Sequence, residues 1–235
     1  MNNLQPFLKL GILITENQFR KELKIVFYSF IRIVARLIVW IINGNAHYLN
    51  KKNLPQGNYI LVGPHRAWFD MIYFALGASP KKFSFMAKKE LFKNPILCFI
   101  LVHANAFAVD RKNPGPSAIK IPVRWLKKRD LSLIMFPSGT RHSQKMKGGV
   151  VLIAKLAGVP IIPAVYQGPV TFKHLMARKK VTVNFGQPIY VDRKVRINDE
   201  LEQKVITQLQ TAFQQLDDQI DPNYVYVDPK SLKQK

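Results

Sequence analysis

Short apolar runs alternate with stretches of helical pattern from about residue 46 onwards, and this alternation allows few folds. A buried strand is predicted at each run, and a helix at each stretch between the runs. Such an order is typical of layered α/β domains. Predicted strands cover 59–62, 83–86, 106–109, 131–136, 161–165 and 181–185, and predicted helices cover 68–77, 95–103, 114–128, 146–157 and a last stretch that starts at Asn198 or Asp199. We therefore expect 46–235 to form an α/β domain, with a largely parallel mixed sheet flanked by helices. Pro122 is expected to start or kink its helix.

Residues 1–45 have a different character. The segment 25–42 is nearly long enough to cross a bilayer, but Arg32 and Arg36 interrupt it. Each arginine costs about 2.5–3.5 kcal/mol at the centre of a membrane. On a helical wheel, one basic arc holds Arg20, Lys21, Lys24, Arg32 and Arg36. This pattern predicts a helix lying at a membrane surface, with its basic side toward lipid phosphates. A second helix is predicted over 7–14. The alternative is a long helix docked on the protein's own core.

The charge balance indicates an anionic partner. The chain has 36 Lys and Arg against 14 Asp and Glu, a formal net charge of +22. Such a charge attracts nucleic acid, an anionic membrane or a phosphorylated substrate, and composition alone does not choose among them.

Cys98 is the only cysteine, so no intrachain disulfide can form and an intracellular setting is expected. The first ten residues lack the pattern of a signal peptide.

A candidate general base follows the first predicted strand. The run 59–62 leads through Gly63 and Pro64 to His65, and Asp70 lies at the start of the next helix. Sites in α/β sheets gather at the carboxyl ends of strands. A carboxylate against one imidazole nitrogen leaves the other nitrogen to take a proton from a hydroxyl. Because no Ser or Cys stands in a nucleophile elbow, the attacking hydroxyl is expected to belong to the substrate.

Two later strand ends carry arginines. The run 131–136 ends in a polar turn that contains Ser138, Gly139, Thr140 and Arg141, and the run 106–109 is followed by Arg111. Backbone N–H groups and arginines at such turns bind phosphate. The other histidines show no metal-ligand spacing, so no metal site is predicted. No pattern of interleaved aromatic and basic residues indicates nucleic-acid binding.

Together these blocks, in this order, resemble the bacterial 1-acylglycerol-3-phosphate acyltransferases, within the wider glycerolipid acyltransferase family. The resemblance extends from His65 to Val165 and includes the segment 87–91. It implies that His65 is the catalytic base and that Asp70 orients it. The same resemblance implies that Arg111 and Arg141 bind the acceptor's phosphate with help from Lys88, and that Gly139 and Thr140 shape the acceptor loop.

The resemblance also implies the partners of the reaction. Lysophosphatidate is the expected acceptor, and acyl-CoA or acyl carrier protein is the expected donor, with no metal or redox cofactor. Backbone N–H groups near the His65 turn or the Gly139 loop are expected to bind the oxyanion. An N-terminal helical pair is expected to hold the enzyme at the cytoplasmic face of the cell membrane, on anionic lipids.

Departures from the family pattern keep alternatives open. Ser138 stands where the family usually has Glu, a position associated with the acceptor, and Pro64 and Ala67 replace the usual Asn and Ser. A serine can hydrogen-bond a glycerol oxygen but brings no charge. The acceptor can therefore be glycerol-3-phosphate or another lyso-lipid. A second alternative, supported by net charge alone, is a non-enzymatic basic protein that binds anionic lipid or RNA.

Overall fold

A seven-stranded sheet forms the middle layer of the protein. The computed structural model describes residues 27–110, 113–138 and 146–228. The strands follow the spatial order β1-β7-β6-β2-β5-β3-β4, and every neighbouring pair is parallel except β6 and β7. The strands are β1 (Ala46–Leu49), β2 (Ile60–Val62), β3 (Phe83–Lys88), β4 (Ala106–Val109), β5 (Ser132–Met135), β6 (Ile161–Gln167) and β7 (Val181–Phe185). The prediction of an α/β fold with a largely parallel mixed sheet is confirmed.

Helices cover both faces of the sheet. They are α1 (27–42), α2 (Asp70–Gly77), α3 (Pro95–His103), α4 (Ser117–Lys128), α5 (Gly149–Ala157), α6 (Phe172–Met176) and α7 (Asp199–Asp218), with 3-10 turns at Lys51–Asn53 and Lys89–Lys93. Asparagine caps start two of them, since Asn94 accepts from the N–H of Leu97 and Asn198 from that of Leu201.

Pro122 lies inside its helix and does not start it, which leaves the expected kink as a prediction. Helix α4 begins at Ser117 and continues through Pro122. Proline has no N–H to donate to the carbonyl of Ala118, one turn earlier. The helix nevertheless continues to Lys128, and Pro122 is buried.

The core divides into two layers because side chains alternate across the sheet. On one face Leu61 packs with Phe74 of α2, and Val39 and Ile42 of α1 lie against the same cluster. On the other face Ile60 and Val62 pack against α5 and α7. Side chains of the sheet are thus buried on both of its faces.

The parallel strands bring their carboxyl ends to one edge of the sheet. Strands β2 to β6 all run in one direction, so their last residues meet there. We call this the site edge. The loops after β2 and β5, which contain His65 and Ser138, leave the sheet side by side at this edge.

Helix α1 both docks on the core and exposes a large apolar surface. Tyr28 is buried, and Arg32 and Arg36 donate to the loop before β3, at the Pro80 carbonyl (2.7 Å) and the Ser79 hydroxyl (3.3 Å). These two arginines therefore bind the protein itself, which differs from the expected orientation toward lipid phosphates. Among the described helices, none is long and apolar enough to cross a membrane. The predicted helix over 7–14 and the basic residues Arg20, Lys21 and Lys24 lie outside the described residues.

Candidate active site

His65 and Asp70 are in direct contact in the loop between β2 and α2. The Nδ1 atom of His65 lies 3.1 and 3.0 Å from the two carboxylate oxygens of Asp70. Asp70 is fully buried, whereas 10% of the His65 side chain is exposed. A nitrogen this close to a carboxylate carries the hydrogen, so the arrangement favours the tautomer with a proton on Nδ1.

The Asp70 carboxylate is fixed by the loop that it closes. Its Oδ2 atom accepts from the backbone N–H groups of Arg66 (2.9 Å) and Ala67 (3.1 Å). These donors compensate for burial of the carboxylate, which is costly without hydrogen bonds. Both N–H groups therefore already have an acceptor in Asp70. The oxyanion donors expected near the His65 turn or the Gly139 loop stay a prediction.

Tight packing sets the position of the His65 ring. Its imidazole stacks on Phe136, at the end of β5, with 4.3 Å between ring centroids and 23° between planes. Gly63 lets neighbouring atoms approach the end of β2 closely. A Cβ atom at Gly63 would lie 2.6 Å from the Ala164 carbonyl oxygen and 2.7 Å from the ring of Phe74. The turn before His65 therefore has no room for a side chain.

Two cavities meet at His65 and Ser138. One, of about 320 Å³, lies beneath α7 and the segment after it. The other, of about 610 Å³, lies between the ends of β3 and β5 and helices α4 and α5. His65, Pro137 and Ser138 line both cavities. A group bound in either cavity can therefore reach the imidazole.

The larger cavity is lined mostly by apolar side chains, which suits a hydrocarbon ligand. The apolar residues in its wall are Met71, Phe85, Met86, Val109, Ile119, Ile134, Met135, Phe136 and Ile153. Lys147 is the one Lys or Arg in its wall within the described residues. Sequence reasoning missed Lys147 because it follows the polar turn instead of standing within it.

The C-terminal part of the chain covers the smaller cavity. A buried ion pair connects it to the loop after β2. Arg66 and Asp217 of α7 form two hydrogen bonds, one of 2.8 Å from Nη1 to Oδ1 and one from Nη2 to Oδ2. Arg66 Nη1 also donates to the Tyr166 carbonyl (2.9 Å). The rings of Tyr224 and Tyr226 lie over the guanidinium, and the Tyr226 hydroxyl donates to the Arg66 carbonyl (3.1 Å).

The electrostatics of this pair keep Arg66 charged. Burial alone would lower the pKa of Arg66, but the hydrogen bonds and negative charge of Asp217 more than offset this, and the pKa lies above its ordinary value. Gln167 at the end of β6 donates to the Asp217 carboxylate as well (2.9 Å). Sequence reasoning missed this network because Asp217 lies 151 residues from Arg66 along the chain.

The structure brings only some of the predicted site residues together. Ser138 lines both cavities, whereas Lys88 is exposed at the end of β3, 3.7 Å from Glu90, and lines neither. Arg111, Gly139, Thr140 and Arg141 lie outside the described residues. Their predicted roles in phosphate binding, and those of Lys88 and Ser138, stay predictions. The described ranges contain no cluster of three His, Cys, Asp or Glu side chains able to hold a metal ion.

Comparisons with known proteins agree with this geometry. The model of the Acyltransferase family matches residues 45–167. The chain is 50% identical over 196 residues to the 1-acyl-sn-glycerol-3-phosphate acyltransferase of Streptococcus pneumoniae, covering 83% of this chain and 74% of the relative. It is 39% identical over 159 residues to the Bacillus subtilis enzyme of the same name, covering 66% and 79%.

A solved structure shares the fold. The crystal structure of the 1-acyl-sn-glycerophosphate (LPA) acyltransferase PlsC from Thermotoga maritima superposes with a TM-score of 0.64 and 21% identity. The match covers 90% of this chain and 89% of that one. The helices and mixed sheet described above therefore follow a known arrangement.

Proposed function

Because this chain belongs to the Acyltransferase family, and is therefore an acyltransferase enzyme, we propose that it acylates the free hydroxyl of 1-acylglycerol-3-phosphate. The product is phosphatidate. The observation that carries the proposal is the position of His65: its Nδ1 is held by buried Asp70, and its ring lines both an apolar and a more polar cavity. Membership of this family also excludes the alternative of a non-enzymatic basic protein.

The names of the relatives support this acceptor. Those from Streptococcus pneumoniae and Bacillus subtilis are both named as 1-acyl-sn-glycerol-3-phosphate acyltransferases. The strongly positive charge of this chain suits an acceptor that carries a phosphate. We propose that the phosphate binds Arg111 and Arg141, with Lys88 and Lys147 as further cations and with the Gly139 and Thr140 backbone shaping the loop.

The proposed reaction is a direct transfer with His65 as general base. The Nε2 atom of His65 takes the proton of the acceptor hydroxyl as its oxygen forms a bond to the thioester carbonyl carbon. The carbon–sulfur bond then breaks, and the leaving thiolate receives the proton from the imidazolium. Asp70 holds the tautomer and stabilises the imidazolium. The products are an ester and a free thiol, and the chemistry needs no metal or redox cofactor.

The apolar cavity is the proposed site of an acyl chain. Its volume of about 610 Å³ and its Met, Ile and Phe lining suit a hydrocarbon. The chain is proposed to come from acyl-CoA or acyl carrier protein. Since the cavity ends at His65 and Ser138, a thioester carbonyl at its mouth lies next to the base.

Ser138 favours a second candidate acceptor. It lines both cavities at the position where the family usually has Glu. An uncharged serine leaves the site less selective for the glycerol end of the acceptor. Glycerol-3-phosphate and lyso-lipids with larger headgroups are therefore the alternatives to test.

We also propose that the enzyme works at the cytoplasmic face of the cell membrane, attached to anionic lipids. The exposed apolar side of α1 supports peripheral attachment, with Ile33 and Trp40 among its exposed residues. An acceptor with a long acyl chain is found in that membrane.

An acceptor panel tests the proposal. The purified protein with lipid is incubated with acyl-CoA or acyl carrier protein thioester and, in separate arms, lysophosphatidate, glycerol-3-phosphate or lysophosphatidylcholine. We expect phosphatidate from the first arm at the highest rate. A higher rate with glycerol-3-phosphate would move the assignment to that acceptor, and no transfer in any arm would contradict the proposed function.

A further inference from the structure

Helix α3 is apolar on all sides and has no residue buried in the protein. Ile96 is 73% exposed, and Phe99, Ile100 and Val102 are each about half exposed. A helix that is apolar all round needs a partner that covers it, because exposed apolar area of this size is rare on soluble monomers.

Helix α3 is continuous with the exposed apolar side of α1. Phe27 of α1 makes an edge contact with Phe99 of α3, at 5.6 Å between ring centroids, and also contacts His103 at 4.5 Å. From there the exposed surface extends along α1 through residues that include Ile33 and Trp40. We call α3 and the exposed side of α1 together the apolar platform.

The charges around the platform fit an anionic bilayer. Neither the segment 27–42 nor α3 contains an Asp or Glu. Exposed Lys93 lies in the turn that leads into α3, where Lys89 pairs with Asp110. The chain as a whole carries a formal net charge of +22. Basic residues beside an apolar surface suit lipid phosphates around an acyl-chain region.

We propose that α3 is a second membrane-inserting element, and that the apolar platform as a whole enters one leaflet of an anionic phospholipid bilayer. Attachment then does not depend on N-terminal helices alone. Exposed Trp40 on α1 suits such a position, because indole rings favour the membrane interface.

The platform also explains how a lipid-borne chain reaches the site, a consequence that rests on the proposed function. Ala87 lines the apolar cavity, and the turn Lys89–Lys93 leads from β3 directly to Pro95, the first residue of α3. The start of α3 thus lies at the site edge. A bilayer on the platform therefore lies beside the cavity, and an acyl chain can pass between them without crossing water.

Cys98 offers a direct test, because it lies in α3 and no other cysteine competes for the label. The full-length protein carries an environment-sensitive fluorophore on Cys98 and is mixed with vesicles of equimolar phosphatidylglycerol and phosphatidylcholine. We expect a blue shift, together with quenching by nitroxides on the lipid acyl chains, and a smaller shift with phosphatidylcholine alone. No change on adding vesicles would mean that residues 1–26 or another part of the chain covers α3. A shift that follows protein concentration without vesicles would indicate a second copy; either result overturns the proposal.

A matched pair of variants gives an independent readout. Ile96→Glu places a charge in the platform, and Tyr190→Glu places one at a side chain of equal exposure, 74%. Tyr190 follows Ile189, which bridges Ile161 at the edge opposite the site edge. We expect Ile96→Glu to weaken vesicle binding in sedimentation by roughly tenfold or more, with Tyr190→Glu and Ile96→Leu close to the unaltered protein. Equal binding by both Glu variants would overturn the proposal.

The two proposals fail separately. Acylation is measured with lysophosphatidate in vesicles and, in parallel, dispersed in detergent. If the platform acts as proposed, Ile96→Glu loses activity in vesicles and keeps it in detergent. If the unaltered protein acylates nothing in either format, the proposed function fails, while the vesicle-binding and fluorescence results still decide the platform.

Discussion

His65 and Arg66 are neighbours in one loop, yet their side chains form pairs of different character. His65 contacts Asp70 with one ring nitrogen and turns the rest of its ring toward two cavities. Arg66 donates hydrogen bonds to Asp217 and to the Tyr166 carbonyl, and two tyrosine rings lie over its guanidinium. The first pair is the one proposed to exchange a proton with the substrate, and the second connects the loop to the C-terminal helix α7.

The contrast between these two pairs shows how a candidate catalytic side chain can be distinguished from one that stabilises the loop. Both pairs hold a buried carboxylate against a basic side chain, so contact distance alone does not distinguish them. What distinguishes them is whether the basic side chain also faces a cavity in which a ligand can bind, as His65 does. Substitutions in the His65–Asp70 pair should therefore reduce catalysis, and substitutions in the Arg66–Asp217 pair should mainly reduce stability.

The largest effect is expected from His65→Ala. Removing the base should lower kcat by about 10²–10⁴-fold, because His65 is the proposed acceptor of the hydroxyl proton. Initial rates of phosphatidate formation measure this loss. Thermal unfolding and vesicle binding should stay close to those of the unaltered protein. Retained turnover in a correctly folded variant would remove His65 from the proposed mechanism.

Arg66→Met should act on stability. It leaves the Asp217 carboxylate buried without its cation, which costs about 3–5 kcal/mol in free energy of unfolding. Denaturant unfolding followed by circular dichroism measures this cost. The double variant Arg66→Met/Asp217→Leu is the matched control and should regain most of the lost stability. A single variant as stable as the unaltered protein would show that the pair does not hold the loop.

Tyr226→Phe should have a smaller effect of the same kind. It removes the hydrogen bond to the Arg66 carbonyl and keeps the ring over the guanidinium. The expected loss in free energy of unfolding is about 0.5–1.5 kcal/mol, again by denaturant unfolding. A loss of kcat as large as that of His65→Ala would contradict a purely stabilising role for Tyr226.

The smallest effect is expected from pH on the Arg66–Asp217 pair. The pKa of Arg66 is raised above its ordinary value in the folded state. A cation whose pKa is raised by folding contributes its stability in full below the unfolded pKa, and loses it only as pH rises through the folded pKa. The stability difference between the unaltered protein and Arg66→Met should therefore stay constant between about pH 6 and 9. Denaturant unfolding across this range checks it, and a steady decline toward pH 9 would contradict it.

The sequence predicts most strands and helices well, but it predicts poorly the short elements and the contacts between distant segments. Strand β4 and helix α3 have their predicted bounds because their apolar runs are bounded by clear turn residues. Strand β1 was not predicted, since its side chains alternate between half-buried and exposed at the sheet edge, and the short helix α6 was not predicted either.

The same contrast holds within the site. His65 and Asp70 are close in sequence, so local spacing predicts their contact. The contacts of Arg66 with Asp217 and of His65 with Phe136 join distant segments, and only the fold brings them together. Sequence reasoning also placed Lys88 beside the phosphate. Its side chain lies 3.7 Å from Glu90 and lines neither cavity, and its role in phosphate binding stays a prediction.

The most direct test compares Asp70→Asn with Asp217→Asn at saturating substrate. Asparagine keeps the shape of each carboxylate, but its amide group opposite Nδ1 favours the wrong imidazole tautomer at position 65. We expect Asp70→Asn to lower kcat by at least about 10²-fold, and Asp217→Asn to lower the free energy of unfolding while the folded enzyme keeps most of its kcat. Equal losses of kcat in the two variants would contradict the assignment of His65 and Asp70 as the proton-transferring pair.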